Sequence, residues 1–220
     1  MQYIGEAQAL GLVPVFAAMA DDDGHLYSQV DDRFNILGIP GDHIRIYEID
    51  PEVEPMSRRY FTYFDRTAAS TEVVLGDGRL SLEREPDQGF DILILDAFSS
   101  DAIPMHLLTR EAFAVYMRHL KPDGILAANM SNRHVDIKPV LKQFAELLGL
   151  KFVWIASYAD HAREVYGADW GLLTRNQRFL KDPTVVLQTL YTSRHFNWPN
   201  WKLERSEEHT SELQSRSAIS

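Results

Sequence analysis

The chain has 220 residues, 45% of them apolar, enough for one globular domain with short extensions. It contains no cysteine, so disulfides and thiolate metal sites are excluded, and a reducing compartment is expected. Its formal net charge of -10 argues against non-specific nucleic-acid binding and suits a small cationic substrate.

Residues 1–37 form a poorly readable N-terminal segment. Leu12 to Met19 suits a strand or a helix, and Asp21-Asp22-Asp23-Gly24 reads as a turn without calcium-loop spacing. No run reaches the roughly 18 apolar residues that span a bilayer. The longest, Ala9 to Ala20, contains Pro14. It ends in Ala-Met-Ala as a secretory leader would, but Glu6 stands where a basic start belongs. A cytoplasmic protein is therefore expected, or one at the cytoplasmic face of a membrane if the full-length protein carries transmembrane helices.

From Gly38 the pattern sharpens. Gly41-Asp42 is a turn, and Ile44 to Ile49 alternates as a strand does. A helix is predicted next, with Asp50 as N-cap, Pro51 at its first position, and Val53, Met56, Tyr60 and Phe64 as its apolar stripe. Glu72 to Leu75 is a strand closed by Gly76-Asp77-Gly78. Ile92 to Leu95 is apolar throughout, which predicts a strand buried on both faces. Thr109 to Leu120 has the period of a helix, stopped by Lys121-Pro122-Asp123-Gly124. A strand over Ile125 to Met130, a helix over Ile137 to Leu148 ended by Gly149, and strands over Lys151 to Ser157 and Trp170 to Thr174 complete the series. Strands alternating with helices predict a mostly parallel sheet in an α/β fold. Residues 38–204 are taken as this domain. Residues 205–220 are polar and aperiodic, are expected to be disordered, and read as a translated sequencing adaptor.

Ligands of open α/β sheets lie outside the carboxyl ends of the strands. Asp96 stands at such an end and Asp101 in the loop after it, so these two are the candidate chemical centre. Glu48, at the end of an earlier strand, can accept hydrogen bonds from a ribose diol. Asp77, flanked by glycines that let the backbone come close, can accept from an adenine amino group. Each also has a plain reading, a helix cap for Glu48 and a tight turn for Asp77. His134, His161 and His195 share no metal-ligand spacing. Asn129 to His134 borders the site or is a plain loop, and Ser131 lacks the glycines of a nucleophile elbow. Trp154, Trp170, Trp198 and Trp201 read as packing residues, and Arg58-Arg59 as a solvated helix face.

Tyr47-Glu48-Ile49-Asp50-Pro51, Gly76-Asp77-Gly78-Arg79 and the run from Asp96 to Pro104 resemble the polyamine aminopropyltransferase (spermidine synthase) family. His106 to Glu111 and Asn129 to His134 resemble the branch found fused to membrane transporters. The resemblance spans about residues 39 to 175. It implies a three-layer, Rossmann-like fold of the class I methyltransferase type, incomplete at the N-terminus. Decarboxylated S-adenosylmethionine would be the co-substrate and a small polyamine-type amine such as putrescine the acceptor, with no metal and no nucleic acid. On this resemblance Glu48 holds the ribose, Asp77 and Gly78 border the adenine, Asp96 is the catalytic base and Asp101 binds the diamine. A homodimer, and fusion to a transporter domain in full-length relatives, are compatible with it. One feature departs from the family. Its glycine-rich loop belongs roughly 20 residues before Glu48, yet His25 to Leu37 contains no glycine. Loss of that loop is the favoured reading over a diverged loop. Two competitors follow: a methyltransferase using S-adenosylmethionine, and a non-catalytic remnant.

Overall fold

The computed structural model describes residues 40–97, 104–131, 135–157 and 168–196. The other residues, including Asp101, Asn132 to His134, His161, Trp198 and Trp201, lie outside this description. The element order is β1 (His43–Glu48), α1 (Val53–Tyr60), α2 (Tyr63–Arg66), β2 (Ser70–Leu75), α3 (Gly78–Arg84) and β3 (Phe90–Leu95). A 3-10 turn (Met105–Leu108) precedes α4 (Arg110–His119), β4 (Leu120–Asn129) and α5 (Lys138–Leu148). Then come β5 (Lys151–Ser157), β6 (Ala168–Thr174), α6 (Gln177–Leu180) and α7 (Pro183–His195).

Alternation along β3 and β4 builds the layers. Leu93, Leu95, Leu126 and Ala128 point into one core with Leu82 of α3, Phe113 and Tyr116 of α4, and Leu141 and Ala145 of α5. Ile92, Ile94, Ile125 and Ala127 point the other way, onto Phe179 of α6, with Val185 of α7 packed behind. Period-two strands with both faces apolar must be covered twice, so helices lie on both sides. Full burial of such a Leu or Ile is worth roughly 1.5–3 kcal/mol. The stacked Phe113 and Phe144 rings, 3.8 Å between centroids, join α4 to α5.

Pairing is parallel between β1 and β2 and between β3 and β4. It is antiparallel between β4 and β6 and between β6 and β5, so β6 lies between β4 and β5. Pairing is thus parallel among β1 to β4 and antiparallel on both sides of β6. Among the described residues β1–β2 and the β3-β4-β6-β5 sheet are two hydrogen-bonded units. They share both cores: Tyr47 of β1 joins the cluster of Leu93 and Leu95, and Ile44 joins that of Ile92 and Ile94.

Several boundaries differ from expectation. Phe61 closes α1 by donating its N–H to Ser57 O, 3.0 Å, which puts Phe64 in α2 rather than on the α1 stripe. Asp50 lies two positions before the cap: its Oδ1 accepts from Glu52 N at 2.8 Å, the cap position proper is Glu52, and Pro51 therefore precedes the helix. Helix α4 stops before Lys121 as expected, with Leu120 as its C-cap, but Lys121 to Gly124 belongs to β4 rather than to a loop. Leu120 already pairs with Phe90, the next pair is Ile92 with Ile125, and the four residues between bulge out of β4. Gly124 suits the bulge, since a Cβ there would lie 3.0 Å from Phe90 O. No helix among the described residues is long and apolar enough to cross a membrane.

Candidate active site

Glu48 is the last residue of β1 and is 3% exposed. Its Oε1 accepts from Asp50 N at 2.8 Å and its carbonyl accepts from Gly76 N at 2.7 Å. The buried carboxylate therefore folds back on its own turn, and that turn is tied to the end of β2.

Asp77 follows β2 by two residues. Gly76 takes φ +137°, a conformation that favours glycine, and the chain then enters α3 with Gly78 buried as its first residue. Asp77 caps α3 with Oδ1, accepting from Leu80 N at 2.8 Å. Its Oδ2 lies 2.9 Å from His106 Nε2, and Arg79 Nη1 donates to His106 O at 2.6 Å. These contacts bring the segment after β3 across to the end of β2. Tyr116 fixes that segment from below, its hydroxyl donating to Leu107 O at 3.1 Å.

Asp96 follows the last residue of β3, and its neighbour across the parallel pair is Asn129 at the end of β4. Asn129 Nδ2 donates to Asp96 Oδ1 at 2.7 Å. Burial pushes the Asp96 carboxyl above the usual carboxylate range, and the Asn129 hydrogen bond pulls it part of the way back. A carboxylate with raised proton affinity at a strand end is suited to accept a proton.

Glu48 and Asp77 thus sit at the ends of paired strands, and Asp96 stands at the end of a strand in the other sheet. Asp101 lies outside the described residues. The reading of Asp77 as a tight-turn residue holds alongside any ligand role, because its oxygens already serve Leu80 and His106.

One further cluster has no local signature in the sequence. Asp169 Oδ1 accepts from Trp154 Nε1 at 2.9 Å, and the Lys138 ammonium lies 3.1 Å from the Trp154 ring centroid. Burial lowers the Lys138 amine to about 8 and raises the Asp169 carboxyl. Trp154 read only as packing, and no local spacing joins it to residues 16 positions back and 15 ahead. Among the described residues no group of three or more His, Asp or Glu could hold a metal ion.

A polyamine aminopropyltransferase from Vibrio vulnificus is 35% identical over 121 residues, covering 48% of this chain and 40% of that protein. Part of this chain is homologous to polyamine aminopropyltransferases. A second, from Nitrosomonas europaea, is 26% identical over 143 residues, covering 63% of this chain and 43% of that protein. The chain spans less than half the length of these curated relatives. No family model matches it. Spermidine synthase from Thermotoga maritima superposes with TM-score 0.53 at 17% identity, covering 89% of this chain and 69% of that one. Human methyltransferase-like protein 13, solved with SAH, superposes with TM-score 0.55 at 16% identity, covering 93% and 97%. These two likenesses show a Rossmann-like, methyltransferase-type fold.

Proposed function

We propose that this chain is the Rossmann-like part of an aminopropyltransferase. It would move the aminopropyl group of decarboxylated S-adenosylmethionine onto a small amine such as putrescine. The observation that carries the reading is Asp96, a carboxylate at a strand end with raised proton affinity and one amide donor on it. A spermidine synthase solved with the transition-state analogue AdoDATO shares the fold, with TM-score 0.53, and supports a sulfonium nucleoside as donor.

The acceptor amine attacks the carbon beside the sulfonium. The C–N bond forms as the C–S bond breaks, and its electron pair leaves on sulfur as a neutral thioether. The nitrogen's surplus proton passes to Asp96. An alkylammonium has a pKa of about 10, so the amine must enter with one proton fewer or lose it on the way in. An aspartate in a site closed to water serves because it accepts the proton as the bond forms and holds nitrogen and carbon in line. Asp101 would pair with the far ammonium of a diamine. Glu48 would hold the ribose, while Asp77, at the mouth of Gly78, would accept from the adenine amine. Asp77 Oδ2 has a second lone pair for this beside His106.

Aminopropyl transfer by the full chain, compared with Asp96→Asn, tests the reading. A fall of about 10²–10⁴-fold is expected for loss of a general base; equal rates would remove Asp96 from the mechanism. The likeness to a methyltransferase solved with SAH favours one alternative, methyl transfer from S-adenosylmethionine. Ligand-induced melting separates them, since a shift with the decarboxylated donor and none with the carboxylated form supports aminopropyl transfer.

A further inference from the structure

Asp96 has one hydrogen-bond partner among the described residues, the side-chain amide of Asn129. That amide is itself oriented. Its Oδ1 accepts from Ser131 N at 2.8 Å, so the NH₂ end has to face Asp96. Ser131 is held in turn, its Oγ accepting from Asp169 N at 2.8 Å, while Met130 N donates to Asp169 O at 2.7 Å. The turn after β4 is therefore stitched to the start of β6, in line with the pairing of Asn129 with Trp170.

We propose that Asn129 is the positioning residue of this site: its fixed amide grips Oδ1 of Asp96 and leaves Oδ2 as the oxygen that meets the acceptor nitrogen. An amide suits that place better than the alternatives. A second carboxylate would repel Asp96, and a lysine would neutralise it and occupy the amine's position. A neutral donor keeps the anion available and sets its plane. The assignment rests on Asp96 being the base, and its test is independent of turnover.

The carboxyl carbon of Asp96 is followed by NMR against pH in the full chain without ligand, with Asp96→Asn to identify the signal. In Asn129→Leu the midpoint rises by about 1, tenfold in proton affinity, because the donor is gone. Asn129→Asp raises it further, and Asn129→Ala repeats the loss of the donor at smaller volume. In the same variants the acid limb of kcat/KM moves with the midpoint while KM for the donor nucleoside holds. An unchanged midpoint in folded Asn129→Leu and Asn129→Ala overturns the assignment. So does loss of the fold in both, which would make the amide a structural strut. Midpoint shifts in the variants with no aminopropyl transfer by the wild type would keep the grip of Asn129 on Asp96 but overturn Oδ2 as the oxygen that meets an acceptor nitrogen.

Discussion

Burial works against Asp96 as an anion, and that has a consequence for stability. Its folded proton affinity is raised above that of the unfolded chain, about 3.9. Such a group contributes stability below that unfolded value, and the contribution is lost as pH rises through the folded one. At pH 7 the raised proton affinity therefore costs stability, so Asp96→Asn is expected to melt at a higher temperature than wild type while losing the proposed activity. Thermal unfolding at pH 7 and pH 4 checks both signs: the gain shrinks or vanishes at the lower pH. A variant that melts lower at pH 7 would mean that the Asn129 hydrogen bond outweighs burial. This opposition of stability and activity is expected where a strand-end carboxylate serves chemistry rather than the fold.

At the scale of elements, small residues and buried polar groups set how helices meet the sheet. Gly171 of β6 faces α5, and a Cβ there would lie 2.7 Å from Leu141 Cδ1, 2.9 Å from Phe152 Cε2 and 3.0 Å from Met130 Sδ. Gly171→Ala is expected to cost about 1–3 kcal/mol by overpacking, read as a lower urea midpoint with unchanged slope. His119 ends α4 and is fully buried. Its Nε2–H donates to Leu82 O at 2.8 Å, satisfying a carbonyl in the last turn of α3, while Nδ1 accepts from Gln88 N at 3.3 Å. Burial chiefly lowers its proton affinity. A depressed histidine contributes stability above the unfolded value of about 6.5, and this is lost as pH falls through the folded one. Wild-type stability is expected to decline below pH 6.5, and His119→Gln, which keeps a donor and an acceptor, to flatten that decline. Parallel slopes in the two proteins would refute the assignment.

At the scale of the whole molecule, β1–β2 is held to the larger sheet by two shared cores rather than by a hydrogen-bond ladder among the described residues. The two parts are expected to unfold together. Hydrogen exchange should give β1 amides the same limiting protection as β3 amides, and earlier exchange across all of β1 would show that the smaller sheet opens alone. Strand ends, glycine stops and most helix faces were legible from the sequence, because the period of apolar side chains and the capping chemistry act within about four residues. The run from Ile92 to Leu95 predicted its own double burial. Glu48, Asp77 and Asp96 were readable as strand-end carboxylates for the same reason. The antiparallel insertion of β6 between β4 and β5 was not legible, since Trp170 to Thr174 is apolar enough for either direction. Nor was the grip of Asn129 on Asp96, 33 residues away, or of His106 on Asp77, 29 residues away. Those contacts were decided by which strand ends the packed cores bring side by side, a property of the folded chain and of no short stretch within it.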